Sequence, residues 1–260
     1  MIELEGGQVA EGLLLMFDPD VPTYSRVVAV LAGRNPGNIL VDDREDPTWC
    51  VVREVGWHHT FVGGRPDASA LADAVARLRE DGEVWLITWD GQPPELPDAP
   101  APDIQLPLLE LSERPADDAA LDLILAGLPA GFDIRRMDRA LVERCEWRGY
   151  AAGASGGAES FIRDGLGFCL MNGREILCEV YAIYWGVDTA EIGVITNEEH
   201  RGQGYATLTC SHLVRACEER GYRTTWTCRP NNPASAAVAR RLGHRRERTF
   251  TMLRYSRAGT

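Results

Sequence analysis

Residues 191–207 read Glu-Ile-Gly-Val-Ile-Thr-Asn-Glu-Glu-His-Arg-Gly-Gln-Gly-Tyr-Ala-Thr, an apolar strand run that passes through a loop with two glycines into a helix. Such a junction turns unpaired main-chain amides outward at the positive end of the helix dipole. Glycine lets the backbone come close to a ligand, and a phosphate fits there. All 27 basic residues are arginine, so any basic side chain that meets a phosphate is a planar, always-charged guanidinium. The GxxxxGK[ST] spacing of a nucleotide-triphosphate loop is absent, and GxGxxG is not satisfied. Read alone, the segment is either an anion cradle or a tight strand–helix turn without a ligand. Asn232, followed by Pro233, is a helix N-cap by type and place, with Ser235, Val238, Ala239 and Leu242 on one helix face. Strand alternation puts Glu191 on one face with Gly193 and Ile195. Tyr181, Tyr184 and Trp185 lie on a strand that faces either the core or a cleft, where a cation would sit on a ring face.

Arg201-Gly202-Gln203-Gly204-Tyr205-Ala206 resembles the [Q/R]-x-x-G-x-[G/A] signature of GCN5-related N-acetyltransferases. Asn232-x-x-Ser235, followed by Leu242-Gly243, resembles the same family's N-x-x-[A/S]…L-G-F helix. The resemblance covers roughly residues 130–260. Within the family, Asn231-Asn232 and the helix after it look closest to the branch that includes zwittermicin A resistance acetyltransferases. The resemblance implies acetyl-CoA as cosubstrate, bound where two parallel strands, 191–196 and 223–228, splay apart. It implies that the backbone of Val194, Ile195 and Thr196 pairs with the pantetheine amides. Amides over Arg201, Gly202, Gln203, Gly204, Tyr205, Ala206 and Thr207 would cradle the pyrophosphate, and Asn232 would bond the pantetheine or the thioester region besides capping its helix.

The reaction so implied is direct attack of an amine on the thioester carbonyl. The amine arrives protonated at neutral pH, so a group must accept a proton. Glu191, at the start of the splayed strand, is the first choice. Glu198 and Glu199 belong to solvent, although either could hold a water. Many relatives place a tyrosine seven residues after the Asn, as a proton donor to the departing thiolate; here that position is Ala239. Ser235 or Tyr184 would substitute, or the thiolate leaves without a side-chain donor. His244 stands where the family has phenylalanine, a difference in packing.

These residues need elements to position them. The second half reads as strand 131–137, a helix from Asp138, a hairpin of 167–172 and 175–186, strand 191–196, helix 205–220, strand 223–228, a helix from Pro233 and strand 248–255. The first half reads as helix 24–32, strands 37–43, 48–55 and 59–64, a helix capped by Asp67 with Leu71, Ala74, Val75 and Leu78 on one face, and strand 83–89. Seven of the fifteen prolines fall in 91–115, which reads as an extended connector. The expected organisation is an α/β domain over 1–92, a Pro-rich linker over 93–116 and a catalytic domain over 117–260. The fold class is α/β (α+β): a mixed, centrally splayed sheet flanked by helices, preceded by a smaller α/β domain. The helix–strand succession of the first half permits a degenerate copy of the same fold.

The 260 residues are 45% hydrophobic and 25% charged, an ordinary globular balance. The net charge of −12 argues against a general nucleic-acid binder. It divides unevenly: 24 acidic and 8 basic residues over 1–130, 15 and 19 over 131–260, so an anionic ligand suits the second half. The seven cysteines are odd in number and none are spaced as CxxC, which reads as reduced core residues of a cytoplasmic protein. No Cys/His quartet has metal spacing, so no metal is expected. No apolar run reaches membrane-spanning length and no signal segment is expected at the start. The expected partner is a small-molecule amine, with neither nucleic acid nor membrane. Two other readings stay open: a CoA-binding sensor or scaffold without turnover, motivated by Ala239, and a protein N-acetyltransferase, motivated by the acidic half.

Overall fold

The computed structural model describes residues 1–4, 10–88, 94–97, 100–115, 118–149, 155–186 and 188–259, without the side chains of 10, 11, 118, 184 and 185. In chain order the elements are β1 (Ile2–Leu4), α1 (Ala10–Leu14), α2 (Tyr24–Leu31), β2 (Gly37–Val41), β3 (Trp49–Glu54), β4 (His59–Gly64), α3 (Ala68–Asp81), β5 (Val84–Thr88) and β6 (Ile104–Ser112). They continue as α4 (Asp118–Leu125), β7 (Phe132–Arg136), α5 (Arg139–Val142), α6 (Ala158–Asp164), β8 (Gly167–Asn172), β9 (Glu175–Gly186), β10 (Thr189–Thr196), a 3-10 turn (Glu198–His200), α7 (Tyr205–Glu218), β11 (Arg223–Cys228), α8 (Pro233–Arg241) and β12 (Arg246–Tyr255). The chain forms two compact units, one of Met1–Leu109 together with the chain from Arg248 onward, the other of Glu110–Glu247.

In the first unit β1, β2, β3 and β4 form an antiparallel run. Helix α3 then connects β4 to β5, which pair in parallel at His59–Trp85 and Thr60–Leu86. Its Leu71, Ala74, Val75 and Leu78 are buried against Leu40, Val51 and Leu86. Val27, Val30 and Leu31 of α2 pack with Ile39, Val41, Val52 and Phe61. The α3 N-terminus is closed by its own chain, since the Asp67 carboxylate accepts from the Ala70 amide at 2.8 Å.

The structure departs from the expected organisation in two places. The stretch 91–115 is not a bare connector, because β6 occupies Ile104–Ser112. Pro107 lies inside that strand: its locked φ suits extended backbone, and only its own N–H is lost. The last strand belongs with the first unit, where Thr251–Tyr255 pair antiparallel with Val84–Thr88. Sequence marks a strand there but says nothing about which neighbour it meets.

In the second unit β7, β8, β9 and β10 form an antiparallel run, and β11 joins β10 in parallel. Helix α7 lies between β10 and β11 in the chain and buries Cys210, Leu213, Val214 and Cys217. It covers the sheet face that carries Cys178 and Thr196, which meet at 3.4 Å. On the opposite face Phe161 of α6 stands edge-on to Tyr181 of β9, with centroids 6.3 Å apart. All seven cysteines are free and buried. Burial pushes the Cys178 thiol up to about 11 and the Cys217 thiol up to about 12, so both stay protonated and unreactive at neutral pH.

Candidate active site

The site begins where β10 and β11 part. They pair only at Thr189–Arg223, Ala190–Thr224 and Glu191–Thr225. Both strands continue, β10 to Thr196 and β11 to Cys228, so past Glu191 they diverge. On its other side β10 stays paired with β9 as far as Thr196–Cys178. Main-chain groups of β10 that face the gap are thus free of a strand partner over the stretch that holds Val194, Ile195 and Thr196, all half-buried. At the same level the β9–β10 register shifts: Tyr184 faces Glu191 and Ala182 faces Ile192, so Ile183 is the extra residue of a bulge in β9, which increases the local twist. Gly193, paired with Tyr181, leaves room for the side chain of that extra residue. A Cβ there would collide with Ile183 Cδ1 and lie 3.2 Å from Tyr181 Cδ2.

The gap leads into the loop before α7. Gly202 and Gly204 have φ of 79° and 81°, the left-handed region that side chains other than glycine's resist. Gly204 is the N-cap residue and no side chain caps the helix. This contrasts with α3, which Asp67 caps, and with α8, where Asn232 Oδ1 accepts from the Ser235 amide at 3.1 Å. A Cβ at Gly202 or Gly204 would meet nothing within 4 Å. The first-turn amides of Tyr205, Ala206 and Thr207 therefore open onto solvent-facing loop backbone at the positive end of a 14-residue helix. The loop is braced from behind. Arg201 Nε donates to the Thr196 carbonyl at 3.2 Å, the Tyr205 hydroxyl donates to Gln203 Oε1 at 2.8 Å, and His200 Nε2 meets Glu175 at 2.9 Å. An open, uncapped helix start beside a strand gap fits the diphosphate and amide-bearing arm of a CoA thioester.

Glu191 is buried on the face that also carries Gly193, and Thr225 is its neighbour across the parallel pair. The Tyr184 backbone pairs with Glu191, while its side chain lies outside the described residues. Ser235 is half-buried and its hydroxyl accepts from Trp226 Nε1 at 3.0 Å. Ala239 is fully buried, so the position where relatives carry a tyrosine presents only a methyl group to the interior. Buried His244 does more than fill space: Nδ1 lies 3.1 Å from the Ala239 carbonyl and Nε2 lies 3.0 Å from Thr224 Oγ1.

Sequence reading missed Glu179. It is buried on β9 opposite Ile195, and its carboxylate accepts from the amides of Glu146 at 2.6 Å and Trp147 at 3.3 Å and from the Tyr181 hydroxyl at 3.3 Å. Burial raises its pKa, against the lowering effect of those donors. The signal was a lone acid inside the apolar run Ile176–Ile183.

The chain is similar to known proteins in sequence and in fold. Residues 106–253 match the GNAT acetyltransferase family. The chain belongs to that family, whose members are acyltransferases that draw on acetyl-CoA. A Bacillus subtilis (strain 168) protein, the uncharacterized N-acetyltransferase YdfB, is 28% identical over 127 residues, 48% of this chain and 49% of that protein. The chain thus spans about half the length of the curated relative it matches. Among solved structures, a GCN5-related N-acetyltransferase-like protein from Streptococcus suis 89/1591 superposes with a TM-score of 0.61 at 21% identity, covering 93% of this chain and 95% of that one. A tandem GNAT protein from the clavulanic acid biosynthesis pathway gives 0.56 at 14% identity, covering 97% and 93%. These likenesses show the fold: mixed α/β, with a splayed sheet flanked by helices.

Proposed function

We propose that this chain is an acetyl-CoA-dependent N-acetyltransferase that moves an acetyl group to the primary amine of a small molecule by direct attack. The observation that carries this reading is the parting of β10 and β11 directly into the uncapped, double-glycine start of α7. Acetyl-CoA supplies an activated acyl group. Amides over 201–207 bind its diphosphate, the strand edge of Val194–Thr196 orients the pantetheine arm, and Asn232 has its amide nitrogen left for the thioester region while its oxygen caps α8. Glu191 accepts the proton that an incoming ammonium must lose. Ser235, at the start of α8, is a candidate donor to the sulfur: its hydroxyl accepts from Trp226 and lies against the Cys228 thiol, from which its hydrogen would have to turn. The Asn231-Asn232 helix supports placement near the zwittermicin A resistance branch.

The test is calorimetric titration with acetyl-CoA, followed by thiol release in the presence of a panel of small primary amines. Binding with turnover of at least one amine is expected. No binding at high micromolar acetyl-CoA would end the proposal. Binding without transfer would favour a CoA sensor, the outcome that the methyl group at Ala239 makes worth measuring.

A further inference from the structure

Three buried hydroxyls lie on the strand face that carries Glu191. The Oγ1 atoms of Thr189, Thr225 and Thr227 are each buried with no hydrogen-bond partner among the described residues. Thr189 lies two residues before Glu191 on β10, so the two side chains leave the same face of the strand. Thr225 is in register with Glu191 across the parallel pair, which places it on that face as well. Thr227 follows two residues later, beyond the last paired position, along the edge of the gap. The other face of β11 is committed elsewhere: Thr224 bonds His244, and Trp226 donates to Ser235. A buried hydroxyl that finds no partner costs stability, and a valine of the same shape would avoid that cost. Three such hydroxyls on one face, beside one buried carboxylate, are what a chain keeps when those groups have work with a ligand.

We propose that Thr225, flanked by Thr189 and Thr227, forms a hydroxyl relay that carries protons between the acceptor amine, Glu191 and the departing sulfur. This rests on the acetyl-transfer reading above. A hydroxyl both donates and accepts, so it can pass a proton without gaining charge. Without ligand the Thr225 hydroxyl meets no partner among the described residues, Glu191 included; with the amine seated it turns to the carboxylate, and the ammonium gives one proton to Thr225 as that hydroxyl gives its own to Glu191. The nitrogen lone pair then forms the N–C bond, the C–S bond breaks, and its electron pair leaves on sulfur. The remaining surplus N–H proton passes through the Thr227 hydroxyl to sulfur, so the thiolate departs as a thiol. Each hydroxyl ends as it began, and Glu191 returns its proton to solvent. The relay thus performs the proton delivery for which Ala239 has no group.

The experiment uses Thr225→Val and Thr227→Val in the full chain, with Thr225→Ser as the conservative control. Thermal melting is followed without ligand, acetyl-CoA affinity by calorimetry, and transfer with the most active amine of the panel. The Val variants are expected to melt higher by about 2–4 °C and to bind acetyl-CoA as the parent chain does. Their kcat should fall by about 10–100-fold, and Thr225→Ser should restore most of the rate. Lower melting temperatures would make the hydroxyls structural and overturn the proposal. Higher melting with an unchanged kcat would overturn it equally. A parent chain that binds acetyl-CoA yet acetylates no amine would sink the transfer reading first, and the relay with it.

Discussion

His244 shows how one substitution against the family's pattern becomes a testable property. Its Nδ1–H donates to the Ala239 carbonyl at the end of α8, which leaves Nε2 to accept from the Thr224 hydroxyl of β11. The ring is neutral in that arrangement, and burial holds its pKa below the usual 6.5. His59, buried in the first unit beside Arg26, is pushed down in the same direction, by burial first and the guanidinium second. A histidine whose folded pKa is depressed takes up its proton more readily in the unfolded chain. Stability from these two rings is therefore complete above about pH 6.5 and declines as pH falls from there toward the folded values. Melting scans between pH 8 and pH 5 should show a plateau and then a fall, and His244→Phe should make the fall shallower. A melting temperature independent of pH across that range would contradict the assignment. The sequence pointed to a packing change at this position, and the polar pin could not be read from it because Thr224 lies twenty residues away in the chain.

At the scale of elements, the parting of β10 from β11, beside the bulge in β9, frames the candidate site. Gly193 has ordinary strand backbone, yet it leaves no room for a methyl group because Ile183 lies across it. Gly193→Ala should cost about 1–3 kcal/mol, the usual cost of overpacking. Pairing it with Ile183→Val should recover part of that loss, which denaturant melts of the single and double variants will measure. Two additive losses would show that Ile183 is not the obstacle. Most of this unit was legible in sequence. Strands 167–172, 175–186 and 223–228 have the expected bounds, and the α7 start falls at Tyr205 as the glycines require. What alternation and turn residues cannot give is partnership. Neither the three-residue limit of the β10–β11 pairing nor the Thr189–Glu191–Thr225–Thr227 cluster follows from a strand pattern, since both depend on register. Strand β6 escaped for a different reason: prolines argue against regular structure locally, while the sheet needs only extended φ at Pro107.

Across the whole molecule, each unit contains an antiparallel run whose last strand leads through a helix to a parallel neighbour, β4–α3–β5 in one and β10–α7–β11 in the other. The two helix starts differ in chemistry. Asp67 places a carboxylate on the first amides of α3, where a phosphate would meet charge repulsion, and the second unit leaves α7 open. The charge division runs the same way, with 24 acidic residues against 8 basic over 1–130. Calorimetry should accordingly give one acetyl-CoA per chain. A stoichiometry of two would mean that the first unit also binds, despite its cap. In the proposed function, the backbone of the β10 edge and the α7 start takes hold of the thioester. Amide-resolved NMR during titration of the 28.7 kDa chain with acetyl-CoA tests it most directly. The largest shifts should fall at Val194–Thr196 and Gly202–Thr207, with the capped start of α3 unmoved; shifts gathered elsewhere, with those amides silent, would rule out the backbone cradle.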